Sequence, residues 1–236
     1  FGSVEKACES VSAVFRAGII PSALEFIERD AIDWTLKYTD VKLQINDDVK
    51  AHLLIEVDGN DMDVLYKECE RIFEVMQEFE CGEILLADSE TQKNQLWQLR
   101  RAIGEAVKSN SIYKEEDTVV PRAELAKLLK GVKAIGKQYG FQSVCYGHAG
   151  DGNLHINIIK GEMSDEDWNK KLTLGIREIF ELTKSLGGTL SGEHGIGLVQ
   201  KDYMDIVFCE KALNLQKGIK NLFDPYGILN PGKILK

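Results

Sequence analysis

The sequence predicts an α+β domain: an antiparallel sheet covered by helices on one face, with a helical tail at the C-terminus. Three observations carry that reading. A strand, helix, strand rhythm runs from Ala51 to Leu86. An Asp-Gly pair, Asp151-Gly152, sits between two strand-like runs. The last periodic segment, Lys211 to Leu222, is helical and leads into a turn-rich tail from Phe223 to Lys233.

Taken in order, Val4, Ala7, Val11, Val14 and Phe15 have helical spacing over Ser3 to Ala17, and Gly18 ends the helix. Ile19-Ile20-Pro21 breaks the pattern; Ala23 to Phe26 reads as a short strand and Ile27 to Thr35 as a helix. AHLLIEV, Ala51 to Val57, is a strand closed by the turn Asp58-Gly59-Asn60, and His52 within it reads as structural. Met62 to Glu78 is an amphipathic helix, and Cys81 to Leu86 returns as a strand. Gln92 to Ser109 is helical on Leu96, Leu99, Ile103 and Val107, with Arg100 and Arg101 pointing about 100° apart on the wheel. Asp117 to Val120 leads to Pro121, and Ala123 to Tyr139 forms the helix that feeds the central hairpin. Ser164 is placed to cap a helix that runs to Leu186, where Gly187-Gly188 stops it; Thr189-Leu190 is extended.

Composition frames the chemistry. The 236 residues, 44% hydrophobic and 28% charged, suit one large domain with a sizeable core. A formal charge of −9 argues against nucleic acid or an anionic membrane surface as a general partner. Five cysteines, scattered and without CxxC spacing, fit free thiols in a reducing cytosol. No apolar run is long enough to span a bilayer, and no secretory leader pattern opens the chain. A start at Phe1 fits a fragment of a longer protein or a processing scar. There is no GxGxxG opening a helix and no P-loop.

Two glycine-framed stretches hold three of the four histidines. In YGHAGDGNLH, a two-residue turn at Asp151-Gly152 would set His148 opposite His155, with Asn153 on the same face and Leu154, Ile156 and Ile158 turned to the core. Opposed residues have Cβ atoms about 4.5–5.5 Å apart, from which two imidazoles can share one ion at about 2.0–2.1 Å if it is zinc. A catalytic divalent site wants a third ligand and an open position, and Glu193 in SGEHGIG is the candidate carboxylate. Its neighbour His194 points elsewhere and suits a general base. A hydrogen-bonded surface pair of histidines satisfies the same local pattern, and Glu193-His194 alone could be an ordinary loop.

GHAGDGNLH, SGEHGIGLVQKDYM and NLFDPYGILNPGKIL, in that order, resemble the C-terminal domain of the FAD-linked oxidase family, which includes D-lactate dehydrogenases, the glycolate oxidase catalytic subunit and D-2-hydroxyglutarate dehydrogenase. The resemblance spans essentially the whole chain. It implies a ferredoxin-like cap domain over residues 1–236 whose FAD is held mainly by an N-terminal domain not supplied by this sequence. It implies that His148, His155 and Glu193 bind a divalent metal, zinc or manganese, that Asn153 helps hold substrate, and that His194 takes the proton from the substrate hydroxyl. Through WxLR it points to Arg100 for the substrate carboxylate, with Lys114 as a second cation; Gly104 stands where some relatives carry a hydroxyl residue. It also implies that the tail returns to the flavin domain, where Asn230 contacts the flavin, although by sequence alone Asn230 is only a turn residue.

The expected function is oxidation of a small 2-hydroxy acid, with hydride passing to FAD. A cytoplasmic protein is expected, with an electron-transfer partner able to hold it at the inner membrane, and a homodimer is open. Two other classes compete: a metal-dependent hydrolase using His148, His155 and Glu193, and a non-catalytic folding or oligomerisation module.

Overall fold

The structure, a computed structural model, describes residues 1–41 and 43–235. Among them are eight α-helices and five strands. The strands β1 (Ala23–Glu28), β2 (Ala51–Glu56), β3 (Tyr113–Val119), β4 (Gln142–Gly147) and β5 (Asn153–Ile159) form one sheet in the order β2-β1-β4-β5-β3. Every neighbouring pair is antiparallel.

The larger core lies on one face. Leu24 and Phe26 of β1, Cys145 of β4 and Leu154, Ile156 and Ile158 of β5 alternate onto it, as a two-residue period requires. Covering them are α1 (Val4–Arg16), α3 (Met62–Glu78), α5 (Leu125–Tyr139) and α6 (Asp165–Ser185). Local chemistry sets their ends. Ser3 caps α1 by accepting from the Lys6 amide at 3.3 Å, and Ser164 caps α6 through the Asp167 amide at 3.1 Å.

The helical cover is not confined to that face. The helices α2 (Arg29–Tyr38) and α4 (Glu90–Asn110) pack on the other side, where Ala31, Ile32, Ile103 and Val107 meet Ile27, Val144, Tyr146 and Ile159. This second layer is smaller, and the histidine-bearing strand ends lie beyond its buried cluster.

Three elements differ from expectation. The strand β1 extends through Ile27 and Glu28, because it pairs along its whole length with β2 and because Glu28 is buried against Lys133 and the Cys145 amide. The predicted strand Cys81 to Leu86 has no regular structure: Ile84, Leu85 and Leu86 are exposed, and among the described residues β2 ends the sheet without a partner on its outer edge. Strand preference is expressed only where a pairing edge is used. A largely apolar groove of about 590 Å³ remains between β2, α3, α4 and this segment. Conversely, Tyr113 to Val119, which has no clear apolar alternation, is a strand.

The C-terminal helices α7 (Met204–Val207) and α8 (Glu210–Phe223) complete the chain. The tail is tied back by Ile234, whose amide donates to the Gly197 carbonyl at 2.9 Å. No helix among the described residues is long and apolar enough to cross a membrane.

Candidate metal and substrate site

The hairpin of β4 and β5 differs in detail from the predicted two-residue turn. His155 pairs with Tyr146, and the connection is a four-residue turn at 149–152. His148 sits two residues beyond Tyr146, where its carbonyl accepts from the Asn153 amide at 3.1 Å. The longer turn follows from packing: Ala149 is drawn into the core instead of pairing with Leu154. Gly152 closes it at φ 75°, and a Cβ there would come within 1.9 Å of the Val120 carbonyl oxygen. A shift of one residue would have reversed the face; a shift of two preserves it. His148 and His155 therefore still meet, with ring centroids 5.9 Å apart and planes at 76°.

The strand β3 supplies the site's other wall. It pairs Asp117 with His155 and Glu115 with Asn157, so odd-numbered side chains join the histidine face. Lys114, expected at the substrate, falls on the opposite face, 3.4 Å from the wholly buried Glu116, and is not brought to the histidines. The residue turned towards them is Glu115, whose Oε1 lies 3.4 Å from His155 Nδ1.

Asp117 organises the glycine-framed loop. Its Oδ2 accepts from the Ser191 hydroxyl and from the Glu193 and His194 amides, each at 2.9 Å, and its Oδ1 accepts from Asn153 Nδ2 at 2.5 Å. Burial pushes the Asp117 carboxyl up, but these four hydrogen bonds outweigh burial and hold it below its ordinary value. Asn153 also donates to the Thr118 carbonyl, while its own Oδ1 is buried without a partner. The loop passes so close that a Cβ on Gly192 would lie 1.9 Å from Asn153 Nδ2. Ser191 takes φ 28°, and its hydroxyl, accepting from the Gly195 amide at 2.6 Å, fastens that turn.

So held, Glu193 projects Oε1 to 3.1 Å from His155 Nε2 and 3.6 Å from His148 Nε2, with His194 Nε2 at 3.7 Å. Two overlapping donor groups result: His148, His155 and Glu193, and Glu115, His155 and His194. Ring planes distinguish them, because an imidazole lone pair lies in its ring plane. His155 and His194 are stacked, 24° apart at 5.1 Å, so an ion in the plane of one falls outside that of the other. The near-perpendicular His148 and His155 can converge. Burial also pulls the His155 imidazole down to about 4, against the opposing pull of Asp117 and Glu193, which leaves it neutral as a ligand must be. Two imidazoles and one carboxylate form a donor set that fits a divalent ion with open positions.

Arg100 reaches this face through Glu25. Its Nε and Nη2 lie 2.8 and 2.7 Å from Glu25 Oε2, and its guanidinium lies over the Tyr146 ring at 5.2 Å. Asn230 occupies an exposed turn of the tail at φ 48°. Sequence reasoning missed Glu25, Glu115 and Asp117; the alternation of Tyr113, Glu115 and Asp117 ahead of Pro121 was the available signal for two of them.

Fold and donor set together define an α+β domain carrying a histidine–carboxylate centre at the open end of an antiparallel sheet. The chain belongs to the family of FAD linked oxidases, C-terminal domain, whose profile matches residues 1–234. It is 31% identical to D-lactate dehydrogenase of Anaerostipes hadrus over 99% of this chain and 50% of that protein. It is 32% identical to glycolate oxidase subunit GlcD of Bacillus subtilis over 99% of this chain and 49% of that one. D-2-hydroxyglutarate dehydrogenase of Stutzerimonas stutzeri is 33% identical over 90% and 46% respectively. The chain thus spans about half the length of the curated relatives it matches. In fold it is similar to p-cresol methylhydroxylase, with a TM-score of 0.64 at 14% identity over 98% of this chain and 50% of that one.

Proposed function

We propose that this domain is the substrate- and metal-binding part of a flavin-dependent 2-hydroxy acid dehydrogenase or oxidase of the D-lactate or glycolate type. The observation that carries the reading is Glu193 Oε1, 3.1 Å from one histidine Nε2 and 3.6 Å from the other. The names of the relatives support the reaction class.

His148, His155 and Glu193 would hold the ion, zinc or manganese, which when bound supplies Lewis acidity towards a substrate hydroxyl. FAD, held mainly by an N-terminal domain, would supply the hydride acceptor. The chain's own residues prepare the substrate. His194, half-exposed beside Glu193, accepts the hydroxyl proton at Nε2. Arg100, its charge already paired with Glu25, binds the substrate carboxylate through its remaining guanidinium N–H groups, and Asn153 shapes the floor beneath it. Asn230, exposed in the tail, meets the flavin. Leu215, Ile219, Leu222 and Phe223 of α8 form an exposed apolar stripe suited to docking the FAD domain. A cytoplasmic setting, an electron-transfer partner at the inner membrane and a homodimer extend the same reading.

The test is made on the protein carrying both domains. Metal analysis should find one divalent ion per chain, lost in His148→Ala and Glu193→Ala, and D-lactate or glycolate oxidation should fall with it. His194→Asn should abolish turnover while flavin stays bound. Unimpaired turnover in that variant would remove His194 from the mechanism, and a metal-free active wild type would remove the ion.

A further inference from the structure

We infer that Glu25 is a positioning residue of the centre, holding His148 so that Nε2 is the nitrogen turned towards Glu193. The inference rests on the metal reading above. Glu25 lies on β1, whose next residue, Phe26, pairs with Gly147, so its side chain reaches the first residue beyond β4. It is 3% exposed. Its Oε1 is 2.8 Å from His148 Nδ1, and its Oε2 is committed to Arg100.

The two ligand histidines are fixed by different means. His155 is 6% exposed at its side chain and packed between Tyr146 and His194, at ring distances of 5.3 and 5.1 Å. Packing on both sides sets its plane, with Glu115 Oε1 3.4 Å from its Nδ1. The His148 side chain is 38% exposed, and among the described residues the one ring it meets is that of His155, edge-on. No second ring among those residues packs against it, and turning over about Cβ–Cγ would put ring carbons where Nδ1 and Nε2 now stand. The hydrogen bond to Glu25 stops it: a carboxylate accepts, so Nδ1 donates and the lone pair is left on Nε2. Arg100, gripping the far oxygen and braced on the Tyr146 ring at 5.2 Å, keeps Glu25 from following the histidine outward. A carboxylate behind a metal-binding imidazole fixes its tautomer and its direction together.

Two variants remove the acceptor. Glu25→Ala is the direct one; Glu25→Leu with Arg100→Met also leaves no buried charge unpaired, a replacement that often preserves folding. Long-range proton–nitrogen correlation on the metal-free protein carrying both domains reads the His148 tautomer, and competition with a chromogenic chelator reads zinc affinity. Wild type should show the Nδ1–H form, and both variants should shift to Nε2–H and lose zinc affinity by about 10- to 100-fold. His148→Ala marks complete loss of the ligand. Should Glu25→Ala not fold, the double variant decides. A folded variant with the Nδ1–H form, or with wild-type zinc affinity, would overturn the positioning role and leave the metal reading intact. A wild-type protein carrying both domains that takes up neither zinc nor manganese would overturn the metal reading and this inference with it.

Discussion

Asp117 Oδ2 lies 2.9 Å from the backbone nitrogen of Glu193, so a strand residue determines where the loop's carboxylate can go. The loop itself, framed by Gly192, Gly195 and Gly197, has little of its own to define a shape. Its geometry is borrowed from β3.

Replacing Asp117 by Ala should therefore uncouple Glu193 from the histidines without touching a ligand. Three loop donors and the Asn153 amide would lose their acceptor, at a cost on the order of 3 kcal/mol in chemical denaturation. Zinc uptake should weaken in the same variant. Unchanged denaturation and unchanged uptake would show that the loop holds itself.

A pH effect is expected far from the site. Burial, helped by Arg29, lowers the His52 imidazole from 6.5 to about 4. Above the higher value the residue is neutral in folded and unfolded chains alike and contributes nothing. Between the two values the unfolded chain binds a proton that the folded one refuses, so stability falls as pH falls across that window. With partial exposure allowed for, the loss is about 1–2 kcal/mol. His52→Gln should flatten the urea midpoint over this range; an unaltered slope would contradict the assignment.

Gly104 lies inside α4, and a Cβ there would meet the Tyr146 hydroxyl at an ordinary 3.5 Å. Gly104→Ala should raise stability by about 0.5–1 kcal/mol, since helix interiors disfavour glycine and the space is present. A lower melting temperature would mean that the gap serves some purpose other than packing.

Thiol reactivity should divide sharply. Cys209 is exposed, whereas Cys8 and Cys145 are buried. Burial pushes both buried thiols up, Cys145 to about 12. Brief iodoacetamide treatment followed by peptide mass spectrometry should find Cys209 modified and Cys8 and Cys145 untouched until denaturant is added. Early modification of either buried cysteine would reveal local opening of the main core.

Much of this was legible in the residues. The order of the helices, the core-facing Leu154, Ile156 and Ile158, and the meeting of His148 with His155 all follow from periodicity. The two histidines do not pair as expected, yet they still meet, because the error in the turn was an even number of residues. What escaped depended on partners distant in sequence. Tyr113 to Val119 looks like a charged linker until β5 lies beside it, and Cys81 to Leu86 looks like a strand although it does not join the outer edge of β2. Lys114 and Glu115 differ by one position, and only a register can say which faces the histidines.

The helix α8 buries none of its side chains fully, and it is only 14 residues long. Isolated helices of that length are marginal in water. On the docking proposed above, its winding would be coupled to the domain that closes over Leu215, Ile219, Leu222 and Phe223, and its amide exchange rates would become a gauge of that docking. Exchange that is fast in the free chain and slow in the joined protein would measure the strength of that docking with neither metal nor flavin involved.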